Sequence, residues 1–565
     1  MREHQGDDPI TTARFRDVAT RVLDALLEAA PEQATGLGDH RFDDQLTDWS
    51  AEASATRATM LTEALAALDD VDDTGLIPDD RVDLEMLRTQ VTGNLWELTE
   101  LRPHERDPLM HLPGEGLYPL IAREAIPAAD RLRALTSRLA QVPERLATAR
   151  DVLHDMPRVQ VETAIVQANG TRTLLTDELE PLLGQQPELA ARAAAARDDA
   201  LAALAEHTRW LEAQLPVADG EPRLGEQAYA ARLWYTLDTE TGPDALLTRA
   251  ESDLQGIEEE IAELASNLAG APPRDGQVRE MLDRSAAMAP VTDATILPLC
   301  QAALTHLTAR VTELDLVTVP SVPVQIIVMP EARRGVAVAY CDAPGPLEPG
   351  ATDVGLPTFF AVSPTPEDWD AERVASFYRE YNGHMLRTLA VHEAMPGHVL
   401  QLAQAARYRG ATKVRSAAGS GPFIEGWAVY AEELVAASGF GGTSEDDTGM
   451  RLQQLKMQLR TTINAILDVR VHSRGMTEAE AMLLMTQRGH QEEGEAAGKW
   501  RRALLSSAQL STYYVGYREI SDIARQLRST RPGWSVRQVH DAMLAHGAPP
   551  PRHLRALLDL EAPTV

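Results

Sequence analysis

Apolar residues recur at helical spacing through the first 310 residues, in runs broken by Pro, Gly or clusters of Asp. Residues 79–101, "DDRVDLEMLRTQVTGNLWELTEL", show the pattern. Two aspartates stand where a helix cap belongs, and Val82, Leu84, Leu87, Val91, Leu95 and Leu98 follow as an apolar stripe. The stretch "ARAAAARDDALAALAEHTRWLEAQL" is rich in alanine with charges interspersed, which suits a helix packed closely on a neighbour. No fixed-period repeat calls for a solenoid. The texture changes near residue 319, where "VPSVPVQIIVMPEARRGVAVAYCDAPGPLEPGATDVGLPTFFAVSP" carries β-branched and aromatic runs separated by Pro and Gly. That pattern predicts a few short strands joined by turns. Helical periodicity returns by residue 366 and continues almost to the end. The expectation is a mainly α protein with a small antiparallel sheet embedded in it. No Pro/Ser-rich linker separates the halves. Residues 1–318, a helical lobe, and 319–565, the sheet plus a second helical lobe, therefore read as two lobes of one continuous fold.

Composition narrows the function classes. Lys+Arg 53 against Asp+Glu 85 gives a net charge of -32, spread along all 565 residues. Such a surface repels phosphate backbones and anionic lipid, which argues against nucleic acid and membrane as partners. The two cysteines, Cys300 and Cys341, are too few for a disulfide framework and lack the spacing of a thiolate metal site. The N-terminal segment has no apolar h-region, and no stretch approaches 18 uninterrupted apolar residues. The expected location is a reducing cytoplasm.

The candidate chemistry begins at "VHEAMPGHVLQ", residues 391–401. It resembles a zinc-protease HExxH helix stretched by two residues. Six residues along a straight helix advance about 600°, so His398 would point roughly 120° away from His392. The surplus accompanies Pro396 and Gly397. Proline cannot donate to the carbonyl four residues back, which is that of His392, and its ring clashes there. A bulge at Pro-Gly that loops out about two residues would turn both imidazoles to one point. Zinc catalysis needs three protein ligands and an open position, and His2Glu is a common set. In "SGPFIEGWAVYAEELVAASGF", Glu425 lies 27 residues beyond His398 on a second predicted helix. Glu393 would serve as general base toward a metal-acidified water. Glu432, two turns beyond Glu425, is placed to orient a ligand histidine. Trp427 and Tyr430 read as core. Zinc is the expected cofactor, although His2Glu also accepts manganese or cobalt. A di-iron carboxylate bundle needs paired Glu-x-x-His segments, and none is present. Serine catalysis fails for want of a G-x-S-x-G elbow.

"HEAMPGHVLQ" followed by "FIEGWAVYAEEL" resembles a large bacterial family, long labelled a domain of unknown function, whose members carry HEAxPGHxxQ and EGWAxYxE. "PEQATGLGDHRFDDQLTDWS", "DVRVHSRGMTEAEA" and "AQLSTYYVGYREI" are similar to three further segments of that family. The family's fold is similar to the helical Taq-type carboxypeptidases. The resemblance implies a gluzincin-like metallopeptidase with a deep cleft between two lobes, His392, His398 and Glu425 as ligands and Glu393 as the catalytic carboxylate. It also implies an oxyanion donor from the C-terminal part, Tyr513 first and His472 second. Many relatives carry lysine where this chain has Tyr514. Tyr514, Arg518, Arg501 and Arg502 are accordingly the candidate substrate contacts.

An exposed strand edge, within residues 336–341 or 357–362, could align an extended peptide by β-augmentation. The expected activity is zinc-dependent hydrolysis of short peptides. The rivals are a metal-dependent amidase or lyase on another substrate and an inactive ligand-binding scaffold. The expected partner is a short peptide, and a homodimer stays open.

Overall fold

The structure, a computed structural model, describes residues 8–329, 338–348, 355–366, 369–440 and 443–561. It is mainly helical, and packing divides it into two units. The first comprises Met1–Pro222, Pro344–Leu356 and Arg409–Ala418; the second comprises Arg223–Ala343, Pro357–Tyr408 and Gly419–Val565. The segment from residue 319, which leads into the first strand, lies within the second unit. The helices between 223 and 318 join the second unit because Leu246, Leu254 and Ile261 share one apolar core with Leu455, Leu459 and Ile463.

In the first unit, the helix Ala128–Val152 lays Leu132, Leu135, Leu139 and Leu146 against Ala193, Ala200 and Leu204 of the alanine-rich helix Pro187–Gln214. Small residues on one side permit the close approach. The "PEQATGLG" segment is held by a fully buried arginine: Arg138 donates to the Thr35 hydroxyl at 2.6 Å, and Thr35 donates to Asp43 at 2.6 Å. The helix predicted over 79–101 spans Pro78–Trp96 and ends in a π turn, Glu97–Leu101. Its aspartates do not cap it. Pro78 opens the helix one residue early, with Ile77 at the cap, so Asp79 and Asp80 fall within the first turn. Asp80 instead accepts from Arg16, and Asp83 from the buried Arg415.

The second unit carries the sheet and the motif helices. The strands are β1 (Val324–Val328), β2 (Ala339–Asp342) and β3 (Thr358–Val362), in the order β1-β3-β2. The antiparallel expectation holds for β2–β3 and fails for β1–β3, which is parallel. Three strands alternating in direction, with the third inserted between the first two, make one parallel ladder. β3 is thus central, and 357–362 offers no free edge. Of the other candidate, residues 339–341 lie in β2, an edge strand, while 336–337 are outside the described residues. Seven helices of this unit build and support the motif region: α1 (Pro243–Ala269), α2 (Gly383–Glu393), α3 (His398–Ala405), α4 (Gly421–Ser438), α5 (Ser444–Arg474), α6 (Glu493–Leu505) and α7 (Gln509–Thr530).

Candidate metal centre

The Pro-Gly interruption is more complete than a bulge: α2 stops at Glu393 and a new helix, α3, starts at His398. The intervening chain folds back under the last turn of α2, and the Gly397 N–H donates to the Val391 carbonyl at 3.0 Å. A Cβ at Gly397 would sit 1.9 Å from the His392 carbonyl oxygen, so only glycine allows this path. Buried Trp427 of α4 fixes the loop by donating its indole N–H to the Pro396 carbonyl at 2.8 Å. The outcome is that the His392 and His398 rings stand perpendicular, at 89°, with centroids 4.7 Å apart.

Glu425, two residues before Trp427 in α4, completes the group. The candidate ligand atoms of His392, His398 and Glu425 all lie within 4.8 Å of one another. Each imidazole Nε2 is 3.5 Å from Glu425 Oε2. Donors about 2.0–2.2 Å from a tetrahedral zinc are separated by about 3.3–3.5 Å, so these edges fit such an ion. Glu425 Oε2 is buried with no hydrogen-bond partner among the described residues, as a free donor atom would be. On the far side of His392, Nδ1 and Glu432 Oε1 are 2.7 Å apart, which fixes the tautomer that leaves Nε2 free to coordinate.

The electrostatics favour a cation here. Burial opposes charge on His392, yet Glu425, Glu432 and Glu393 outweigh it and raise the imidazole's pKa well above the ordinary value. Glu425 behaves conversely: against burial, His392 and His398 hold its carboxyl far below the usual range. Burial raises the pKa of Glu432. An N2O donor set of two imidazoles and one carboxylate suits zinc, and manganese or cobalt as alternatives.

His392, His398, Glu425 and Glu393 all line one cavity of about 1050 Å³ whose lining residues all belong to the second unit. β2 contributes Ala339, Tyr340 and Cys341 to the same wall. Burial, with the Glu393 and Asp342 carboxylates, pushes the Cys341 thiol well up. Tyr513, Arg501 and Arg502 also line the cavity. The Tyr513 hydroxyl oxygen accepts from Arg502 at 2.9 Å and from Gln509 at 3.3 Å, which leaves its own proton to donate.

Residues 31–558 match one bacterial protein family. The chain belongs to the DUF885 family, bacterial proteins of unknown function. Two solved structures resemble this DUF885 chain along nearly its whole length. One, provisionally described as a lipoprotein of unknown function from Shewanella oneidensis, is 27% identical with a TM-score of 0.80, covering 96% of this chain and 99% of its own. The other, provisionally described as a lipoprotein from Colwellia psychrerythraea, shares the fold at 17% identity and a TM-score of 0.79, covering 97% and 100%. No curated protein matches the sequence.

Three of the predicted site residues of this DUF885 protein lie elsewhere. His472 bonds through Nε2 to the Ala503 and Ser506 carbonyls, both at 2.9 Å, and stacks on Tyr229. It ties down the end of α6 and offers the cavity nothing. Its neighbour one turn back, Asp468, accepts from the Ala508 and Ser511 N–H groups, both at 3.1 Å, and so anchors the start of α7. The pair therefore fixes the corner from which Arg502 and Tyr513 project. Tyr514 is turned about 100° from Tyr513 around α7, and its hydroxyl donates to Asp253 of α1 at 2.6 Å. Arg518, one turn on, faces the same Asp253 at 3.5 Å.

Sequence reasoning missed two features. The "EGW" and "YVGY" glycines form one crossing: a Cβ on Gly516 would lie 2.1 Å from the Pro422 carbonyl, and one on Gly426 would lie 2.3 Å from the Gly516 backbone. This contact presses α7, with Tyr513, against α4, with Glu425; the signal was a glycine within each predicted helix. The second feature is a charged group in the cavity wall. Arg460 pairs with Glu495, and Lys456 donates to Glu380 at 2.9 Å. Buried Lys499 stands among them.

Proposed function

We propose that this DUF885 protein is a metal-dependent hydrolase that cleaves peptide bonds in short peptides, in the manner of helical gluzincin-type metallopeptidases. The observation that carries the reading is the convergence of His392, His398 and Glu425 on one point in a large cavity, with Glu393 beside them. A divalent ion held by those three residues, zinc in the first instance, supplies positive charge that polarises a carbonyl and makes water acidic near neutral pH.

The chain's own residues would do the rest. Glu432 holds the His392 ring in its ligating tautomer. An extended peptide would lie along the cavity wall to which β2 contributes Ala339 and Cys341. Glu393 takes a proton from the attacking water and passes it to the departing amine. Tyr513, its oxygen already occupied as an acceptor, donates to the negative charge developing on the carbonyl oxygen. Both cysteines are unpaired, which suits the cytoplasm, and cell fractionation tests that placement.

The test combines metal content with turnover of a panel of free and blocked peptides. Purified protein is expected to hold close to one zinc per chain. Glu393→Gln should retain the metal while kcat falls by about 10²–10⁴-fold, the usual contribution of a positioned acid–base group. An unchanged kcat removes Glu393 from the mechanism. Less than about 0.1 zinc per chain, not restored by added metal, favours a binding scaffold, since structural and catalytic sites of this kind hold zinc tightly. Consumption of another amide with no peptide cleaved favours an amidase.

A further inference from the structure

α6 presents Lys499 and, three residues on, Arg502 to the cavity that contains the His-His-Glu cluster. Lys499 is only 5% exposed, yet its ammonium makes no ion pair or hydrogen bond among the described residues. The neighbouring carboxylates are engaged by others. Glu495 accepts from Arg460 and from the Tyr381 hydroxyl at 2.9 Å. Glu380 accepts from Lys456 at 2.9 Å and from the Glu492 N–H at 3.0 Å. Arg502 spends its guanidinium on two neutral oxygens, Tyr513 Oη at 2.9 Å and Gln509 Oε1 at 2.8 Å.

A buried cation without a counter-ion is costly and persists where a ligand completes it. Lys499 is buried without a bonded partner, and Arg502, half-buried on the same helical face, bonds only neutral oxygens. Residues three apart on a helix bring their Cβ atoms within about 5–6 Å, a separation that two oxygens of one carboxylate can bridge. We propose that Lys499 and Arg502 form a subsite for a substrate carboxylate, so that the substrates are short peptides carrying a free carboxylate at that position. The substrate part rests on the hydrolase reading above; the subsite rests on the unbonded Lys499 ammonium and on Arg502, which bonds only neutral oxygens. Burial and the guanidinium groups of Arg460 and Arg502 hold the Lys499 pKa well below the ordinary lysine value, outweighing the pull of the Glu495 and Glu380 carboxylates. Two carboxylates fit this chemistry: the main-chain terminus and an acidic side chain.

Four blocked tripeptides distinguish them, with the C-terminus free or amidated and the last residue Glu or Gln. Binding is measured by calorimetry on the zinc-loaded full chain carrying Glu393→Gln, and hydrolysis on the wild type. The free-carboxylate Gln peptide or the amidated Glu peptide is expected to bind at least about 30-fold more tightly than the amidated Gln peptide, as loss of a charge-assisted contact requires. Preference that follows the terminus identifies a C-terminal carboxylate; preference that follows Glu identifies an acidic side chain. Lys499→Met should bring the ratio close to one, and Lys499→Arg should keep it, which separates charge from packing. Equal binding of all four peptides, or a ratio that survives Lys499→Met, overturns the subsite. Selective binding with no peptide cleaved by the wild type overturns the hydrolase reading and leaves the subsite in place.

Discussion

Substituting Gly516→Ala probes how the site is assembled. The new methyl group would stand 2.1 Å from the Pro422 carbonyl oxygen and 2.9 Å from Gly426 Cα, where a Cβ needs more than 3.0 Å. Both obstacles are α4 backbone, so no side chain can rotate away, and α4 and α7 must part by about 1 Å. Overpacking of this kind costs about 1–3 kcal/mol. The shift falls next to Glu425 and is about twice the 0.5 Å tolerance of a working site. Zinc affinity, measured by competition with a chromogenic chelator, should therefore fall at least about tenfold, and the urea midpoint should fall with it. Gly256→Ala is the control. It lies inside α1 with nothing within 4 Å of its added Cβ, so it should stabilise by about 0.4–1 kcal/mol. If Gly516→Ala unfolds at the wild-type urea concentration and binds zinc as tightly, the paired-glycine account of the site fails.

Three other measurements test the same geometry, and a fourth tests the first unit. Glu432→Gln removes the carboxylate beside His392 Nδ1 and should weaken zinc binding by about 10–100-fold in the same chelator assay; unaltered affinity would show that the contact orients nothing. Tyr513→Phe should lower kcat by about 10²–10³-fold with little change in KM. Its neighbour tests the facing of α7: Tyr514→Phe should leave kcat alone and cost about 1 kcal/mol through the lost bond to Asp253, and the reverse pattern would mean that α7 is turned the other way. In the first unit, hydrogen bonds to Asp43 and Glu348 raise the His40 pKa from 6.5 to about 10. That stabilisation is complete below pH 6.5 and is lost as pH rises through about 10. Urea midpoints should decline across this interval, and His40→Gln should flatten the decline.

Much of the site was legible because it is written in local rules. A proline that cannot donate to His392 and a glycine beside it demand an interruption at that point, whatever the rest of the chain does. The helical period made Glu425 and Glu432 neighbours on one face, and the structure places one against both imidazoles and the other behind His392. The edges of that reasoning were also local. Pro78, as the first helical residue, moves Asp79 and Asp80 from the expected cap into the first turn. The parallel β1–β3 ladder departs from the expected antiparallel sheet because strand order is not contained in strand composition.

What the chain order could not decide was facing. Tyr513, Tyr514 and Arg518 share one helix, and only the position of Asp253, 261 residues before Tyr514 in the chain, turns the last two away from the cavity. His472 looked like a proton donor until the carbonyls of Ala503 and Ser506 claimed its Nε2. Nothing in the local sequence marks Lys499, because whether a buried ammonium finds a bonded partner depends on the packed surrounding and not on the residue. The amino-acid order by itself determined the helices, the break and the residue types gathered around it, since these depend on backbone sterics within a few residues. Tertiary structure alone decided which side chains meet in the cavity, because that depends on where helices distant in sequence cross, and here two glycines 90 positions apart set how closely they do so.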